Sequence, residues 1–164
     1  MKVKQAKIII KIISNKALGP REALTQVFEE NGSLWATDGF IAIKICDQVD
    51  ETLKNKRATI DDLKSYCAVH KNDEVVGLDV FTDNYHSEPA MHQLVQGNFV
   101  PAENIKINYE FIKLGCDYLG IKNFTLEYNE GNHYLYKLKP LQDGDVDILT
   151  RAEGAEVYIM GLKK

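Results

Sequence analysis

The residues of this chain that could do chemistry are four histidines, three cysteines and two groups of aspartates, and their spacing decides which chemistry is open to them. His70, His86, His92 and His133 form no His-x-x-x-His pair, and Cys46, Cys67 and Cys116 are widely spaced with no Cys-x-x-Cys step. A zinc site would therefore have to recruit ligands from across the fold. Asp61-Asp62 and the cluster Asp143, Asp145 and Asp147 offer the hard oxygen donors a divalent cation prefers, but acids in turns and on exposed strand faces are ordinarily solvated. Gly115 and Gly120 bracket four residues without a following Lys-Ser/Thr, so no phosphate-cradling loop is present. Gly-x-Ser-x-Gly is missing, and Ser33 falls in a hairpin. The sequence thus reads as non-catalytic, with no cofactor and no metal; an unrecognised hydrolase or metal enzyme using Asp61 or His92 is the remaining catalytic alternative.

A chain of 164 residues, 45% hydrophobic and 27% charged, has the composition of a globular protein and buries about 68–70% of its unfolded surface. Its longest apolar run, Ile8-Ile9-Ile10 resumed by Ile12-Ile13, is far below the roughly 20 residues of a spanning helix. The opening MKVKQAK leads to no apolar stretch ending in a cleavage site, so no secretory signal is expected. Three cysteines make no disulfide framework; they read as small buried hydrophobes in a reducing cytoplasm.

Charge is divided unevenly. Residues 1–21 hold Lys2, Lys4, Lys7, Lys11, Lys16 and Arg21 with no acid, which is +6, while the rest of the chain holds 14 cations and 24 acids, which is −10. An acidic chain is repelled by nucleic acid at long range, yet a local basic strip can guide a phosphate backbone. On a helical wheel Lys4, Lys7, Lys11, Ser14 and Asn15 share one side, and Ile8, Ile9, Ile12 and Ile13 fill the other. That predicts an amphipathic helix with a basic stripe, preferred over a buried strand despite the β propensity of isoleucine.

After Gly19-Pro20, apolar alternation sets in at Leu24 and Val27-Phe28 and passes through Asn31-Gly32 to Leu34-Trp35-Ala36, a hairpin signal. Thr37-Asp38-Gly39 makes a second turn into a strand over 40–45. Residues 47–58 are polar and aperiodic and are expected as loop. Thr59 with Asp62 forms a capping box for a helix over 60–70. Strands are expected at 75–81 and 91–95. Asn108 caps a third helix with Phe111, Leu114, Gly115 and Tyr118 on one face, and Gly120 stops it. Strands about Phe124–Tyr128, Tyr134–Leu138, Val146–Leu149 and Val157–Met160 complete an α+β chain. A helix followed by antiparallel strands thus occurs three times, from about 3, 59 and 106, with no repeat at the level of residues.

Three stretches together resemble a known family. Leu34-Trp35-Ala36-Thr37-Asp38-Gly39-Phe40-Ile41-Ala42-Ile43 is similar to the strand-turn-strand of bacterial sliding clamps, the β subunit of replicative DNA polymerase, which carries Ala-Thr-Asp-Gly-His-Arg-Leu-Ala. Leu94-Val95-Gln96-Gly97-Asn98-Phe99-Val100-Pro101 resembles the later Leu-Val-Asp-Gly-Arg-Phe-Pro segment. Val157-Tyr158-Ile159-Met160-Gly161-Leu162-Lys163 resembles the terminal strand, which ends Val-Met-Pro-Met-Arg. Residues 1–105 look like a complete clamp-like domain and 106–164 like a further helix-plus-sheet half-unit.

The resemblance implies a DNA-clamp-like α+β fold with its helices on one face and, for function, a non-catalytic processivity factor of DNA replication. Such a protein encircles or sits on duplex DNA without sequence preference and tethers polymerase or clamp-loader peptides. A homo-oligomer closed through sheet edges is expected with it. The matching peptide-cleft residues are Thr37, Gly39, Phe40, Ile41 and Ala42 with Val100, Pro101, Tyr158, Ile159, Met160 and Leu162. The DNA-facing cations would be Lys4, Lys7, Lys11 and Lys113. The family's His-Arg is Phe40-Ile41 here, and its terminal proline is Gly161. The alternative is an interaction protein that keeps the fold and cleft but forms no ring, and modulates a host clamp or polymerase.

Overall fold

The computed structural model describes residues 1–15, 26–46, 56–70, 83–84, 91–141 and 155–161. Outside them lie the expected turn at Gly19-Pro20, Leu24, most of the 47–58 loop, the strands at 75–81 and 146–149, the cluster Asp143, Asp145 and Asp147, and Leu162. The described chain runs α1 (Val3–Ile13), β1 (Gln26–Glu30), β2 (Ser33–Thr37), β3 (Ile41–Cys46), β4 (Lys56–Thr59), α2 (Ile60–Val69), β5 (Asp83–Asn84), α3 (Met91–Leu94), β6 (Phe99–Pro101), α4 (Tyr109–Leu119), β7 (Phe124–Asn129), β8 (Asn132–Pro140) and β9 (Glu156–Met160).

The N-terminal isoleucine run is a helix because its apolar residues recur every three to four positions. Val3, Ala6, Ile9, Ile12 and Ile13 are buried while Lys4, Lys7 and Lys11 are exposed, and burial of that face outweighs the β preference of isoleucine. Gln5 is buried among them with both ends of its amide used: Oε1 accepts from the Lys2 backbone N at 2.9 Å, and Nε2 donates to the Tyr118 carbonyl of α4 at 3.1 Å. In the β1–β2 hairpin, Asn31 and Gly32 both take positive φ (50° and 79°), as a two-residue type I′ turn requires. The Thr59/Asp62 capping box forms reciprocally at the start of α2. Asn108 caps α4 through Glu110 N, and Gly120 at φ 68° ends it.

All nine strands join one sheet, in the order β5-β4-β1-β2-β3-β9-β8-β7-β6, and every pairing is antiparallel. Among the described residues, α1-β1-β2-β3 and α4-β7-β8-β9 each run as a helix followed by three antiparallel strands. The two meet through their third strands, β3 and β9, in the register Ile41↔Ile159, Ala42↔Tyr158, Ile43↔Val157, Lys44↔Glu156.

Both sheet faces are covered along this seam. Val27, Leu34, Ala36, Ile41, Ile43, Leu126, Tyr136, Leu138, Val157 and Ile159 form one core with α1, α2 and α4. Their neighbours Phe28, Trp35, Ala42, Leu135 and Tyr158 point the other way and pack with Met91, as the period of two demands. The α4 helix comes very close to the sheet. A Cβ added to Gly115 would lie 2.8 Å from Leu138 Cδ2 and 2.9 Å from Val157 Cγ1.

Two expectations differ from the structure. Residues 56–58, expected as loop, belong to β4, because Ala58 is completely buried opposite Val27; the preceding Lys56 and Arg57 hide that inward residue in the sequence. Residues 91–94, expected as strand, form α3: Met91 and Val95 sit four apart over the outer core, and the Glu30 carboxylate accepts from Met91 N at 2.7 Å. Residues on both sides of position 105 contribute to one hydrophobic cluster and to one sheet. Of the three expected helix-plus-strands units, the described residues hold a helix and three strands from near 3 and again from near 106, the latter without its expected strand at 146–149, which lies outside them, and the unit from near 59 falls largely outside them.

Two substitutions test this packing. Gly115→Ala forces β8 and β9 away from α4 and is expected to lower stability by about 1–3 kcal/mol in denaturant melts. The Tyr118 hydroxyl is buried with no hydrogen-bond partner among the described residues, and burial pushes its ionisation far above the ordinary range. Tyr118→Phe removes that orphan group and is expected to raise stability by about 1 kcal/mol.

Candidate functional site

The Thr37-Asp38-Gly39 turn is built by its own side chains. Asp38 is buried, and its Oδ1 accepts from the backbone N of Phe40 (2.8 Å) and of Ile41 (2.9 Å), while Asn15 Nδ2, at the end of α1, donates to Oδ2 at 2.8 Å. Thr37 Oγ1 donates to the Ile41 carbonyl at 2.8 Å and accepts from Gly39 N at 3.0 Å. Gly39 takes φ 90°, where only glycine is comfortable. Thr37, Asp38 and Gly39 therefore fix where β3 begins and tie the hairpin to α1.

The structure brings this turn beside the closing strand. Met160 N donates to the Phe40 carbonyl at 2.7 Å, which carries the β3–β9 ladder into the turn. Ile41 and Ile159 lie opposite each other and face the helices, sealed in the main core. Ala42 and Tyr158 lie opposite each other on the outer face and are almost completely covered, at 6% and 4% exposure. Phe40 turns toward the helix side and stacks on Phe111 of α4, with centroids 5.9 Å apart and planes at 15°.

Val100 and Pro101 do not join that group. They lie on β6, at the far edge of the sheet, with β7, β8 and β9 standing between them and β3. Val100 pairs with Tyr128 and Pro101 with Glu127. Pro101 instead helps line a cleft of about 380 Å³ with Glu103, Asn104, Tyr128, His133 and Tyr136. The residue that reaches back from β6 is Phe99, whose ring centroid is 5.8 Å from that of Tyr158.

The apolar surface around Tyr158 thus consists of Phe28, Trp35, Ala42 and Leu135, roofed by Met91, Val95 and Phe99, with Met160 at its side. Trp35 and Tyr158 rings lie 6.0 Å apart. Met91, Val95 and Phe99 are not among the expected cleft residues, and neither are Phe28, Trp35 and Leu135 of the strands. Their signal is alternation: each sits one position out of phase with a neighbour that faces the helices.

A charged cluster borders this surface. Glu156 reaches Lys44 Nζ at 3.2 Å and Lys137 Nζ at 3.4 Å, and it accepts the Tyr158 hydroxyl. Lys137 also stands 5.7 Å from the Tyr158 ring centroid and 6.0 Å from that of Phe99. Partial burial works to raise the Glu156 ionisation, but the Tyr158 hydrogen bond and the two lysines prevail and hold its carboxyl below the ordinary value of 4.5.

On the opposite side, Lys4, Lys7 and Lys11 of α1 and Lys113 of α4 are all exposed. Lys64 adds a cation on α2, whereas Asp61, Glu110 and Asp117 are exposed acids of the same helices. Among the described residues no three His, Cys, Asp or Glu side chains gather to hold a metal. His70 packs on Tyr66 and His133 on Tyr128. Burial pushes the thiols of Cys67 and Cys116 up, which makes both poorer nucleophiles. No helix among the described residues is long and apolar enough to cross a membrane. No family model, no curated protein and no solved structure matches the chain.

A group whose carboxyl is held low in the folded state stabilises the fold above its unfolded value, and that contribution is lost as pH falls through the folded one. The Glu156→Gln variant is expected to be about 1–2 kcal/mol less stable than the wild type at neutral pH. The gap should close as pH drops below 4.5, a trend that melting temperature against pH checks directly.

Proposed function

We propose that this chain is a clamp-like, non-catalytic protein of DNA replication that lies against duplex DNA by its helix face and tethers polymerase or clamp-loader segments by its outer sheet face. The observation that carries the reading is the arrangement of the two alike units. Each is a helix with three strands, they join through β3 and β9, and they place every long helix on one side with the exposed Lys4, Lys7 and Lys11 stripe there. The family that the Thr37–Ala42 and Val157–Met160 segments resemble uses such a face for DNA. A DNA-facing surface needs cations but no chemistry, and phosphate contacts alone suffice for binding without sequence preference.

One observation favours the second reading, a protein that binds a clamp or polymerase without forming a ring. The described edges of the sheet are short: β5 has two residues, and β6 has three and ends in Pro101. Short edges with proline are how proteins discourage strand pairing with another chain.

Native mass with circular and linear duplex separates the two. A ring should stay on circular DNA at salt that strips it from linear DNA. If both complexes dissociate at the same moderate salt and the particle is a monomer, the encircling reading fails and the second stands. Three phosphate contacts correspond to a slope of about −2.7 in log K against log salt, hence about 40-fold weaker binding between about 50 and about 200 mM. Replacing Lys4, Lys7 and Lys11 together by Gln should flatten that slope. An unchanged slope would place DNA, if bound, elsewhere on the molecule.

A further inference from the structure

We propose that the cleft of about 380 Å³ between the segment after β6 and the β7–β8 hairpin binds the guanidinium group of an arginine presented by a partner protein, with an apolar residue beside that arginine. The inference goes beyond the proposed function and does not rest on it, because neither the α1 lysines nor the outer sheet face takes part. Every residue that lines the cleft lies in a described part of the chain: Pro101, Glu103, Asn104, Tyr128, His133 and Tyr136. Glu103, Asn104 and His133 are exposed, Tyr128 is half-buried and Tyr136 forms the floor. The volume falls in the range of about 300–1,000 Å³ usual for ligand sites.

Backbone and ring contacts fix the walls. Ala102 N donates to the Leu126 carbonyl at 3.0 Å, and the Tyr136 hydroxyl donates to the Asn104 carbonyl at 3.3 Å, which holds the 101–104 segment over β7 and β8. Gly161 allows the next stretch to come close, since a Cβ there would lie 2.8 Å from Tyr136 Cε2 and 3.0 Å from the Lys106 carbonyl. On the other wall the ladder shifts: Tyr128 pairs with Tyr136 but Asn129 pairs with Asn132, so residues 133–135 of β8 bulge out of register with β7. His133, within that bulge, sets its ring edge-on to Tyr128, with centroids 5.4 Å apart and planes at 86°. Bulges re-aim side chains at functional sites in this way.

The chemistry of the lining selects the ligand. Glu103 brings a carboxylate, and among the described residues no lysine or arginine lines the cleft, so a phosphate or other anion is repelled. Pro101 is the single aliphatic lining residue among those described, which leaves a purely apolar ligand little to cover it. No three His, Cys, Asp or Glu side chains gather there among the described residues, too few donors for a metal ion. The Glu103 carboxylate, the Asn104 side-chain amide and the Tyr128 hydroxyl have no hydrogen-bond or ion-pair partner among the described residues, so three acceptors face the cleft beside aromatic rings. A flat, weakly hydrated cation with several N–H donors matches that set. Guanidinium forks onto a carboxylate and lies on an aromatic ring, where the more tightly hydrated ammonium gains less. Ile105 and Tyr134, exposed at 47% and 44%, adjoin the lining residues Asn104 and His133 in the chain. They give the neighbour of the arginine an apolar rest, which makes the occupant a protein segment and not a free ion.

The probe is a fluorescein-labelled, capped peptide Gly-Leu-Arg-Leu-Gly, followed by fluorescence polarisation on the full chain beside copies carrying citrulline, the neutral isostere, or Lys in place of Arg. The Arg peptide should bind, the Lys peptide about threefold more weakly and the citrulline peptide about tenfold more weakly. Glu103→Gln, a change at an exposed position that should leave melting unaltered, is expected to bring the Arg peptide down to the citrulline level. Tyr128→Leu should weaken the Arg peptide about threefold, and should that variant fail to fold, Glu103→Gln decides alone. A Kd for the Arg peptide above about 1 mM overturns the proposal. Equal affinity for the Arg and citrulline peptides overturns it too, as does unchanged binding in Glu103→Gln. Free arginine should compete only in large excess over the peptide; competition mole for mole overturns the assignment to a protein partner. No DNA and no clamp-motif peptide enters the measurement, so its outcome leaves the clamp reading to be decided separately.

Discussion

The antiparallel pairing of Ile41–Cys46 with Glu156–Met160 is the constraint on which the rest of the molecule depends. It joins segments separated by more than a hundred residues of chain, and the side-chain period of two makes its register all-or-none. In the observed register Ile41, Ile43, Val157 and Ile159 face the helices while Ala42 and Tyr158 face out. A slip of β9 by one residue would drive Tyr158 into the helix core and expose Val157 and Ile159. The register is pinned at both ends. At one end Asp38 and Thr37 hold the turn, and Met160 N extends the ladder to Phe40; at the other Glu156 sits between Lys44 and Lys137.

From this seam the two faces acquire different work. On the helix side the packing is close, with Gly115 allowing α4 down onto Leu138 and Val157, and Gln5 bonding α1 to α4 through the Tyr118 carbonyl. Such a layer is rigid, and what it offers outward is a fixed array of α1 side chains. Among the described residues, Met91, Val95 and Phe99 pack on the outer side against Phe28, Trp35, Ala42, Leu135 and Tyr158.

What was legible in the sequence was local. The isoleucine and lysine stripe, the Asn31-Gly32 turn, the Thr59/Asp62 box, and the Asn108 cap with its Gly120 stop each express their physics within a few residues. That the Thr37–Ala42 turn meets the closing strand was implied only by the family resemblance, and the β3–β9 pairing brings the two together. The misses share the opposite character. β4 exists because Ala58 meets Val27 across the sheet, and α3 exists because Met91 and Val95 meet an apolar floor built from β1, β2, β3, β8 and β9. Val100 and Pro101 stand apart from Tyr158 because β6 pairs with β7, which nothing in their own composition states. Trp35 was visible in the alternation, but which side of the sheet it would serve depended on the seam.

Charge sets the remaining condition on the proposed role. The chain carries −4 overall, so its distant field opposes approach to DNA, and that field is screened beyond about 8 Å at physiological salt. Within that distance the α1 stripe presents Lys4, Lys7 and Lys11 along about 10 Å of helix, with Asp61, Glu110 and Asp117 on the neighbouring helices offsetting part of it. Binding that rests on so few phosphate contacts is weak and slides easily, because no base edge is engaged. A tether built this way holds a partner near DNA only if topology prevents its escape or if the partner itself grips the duplex. The short described edges β5 and β6 bear on the first condition, so the number of copies in the particle decides which of the two does the holding.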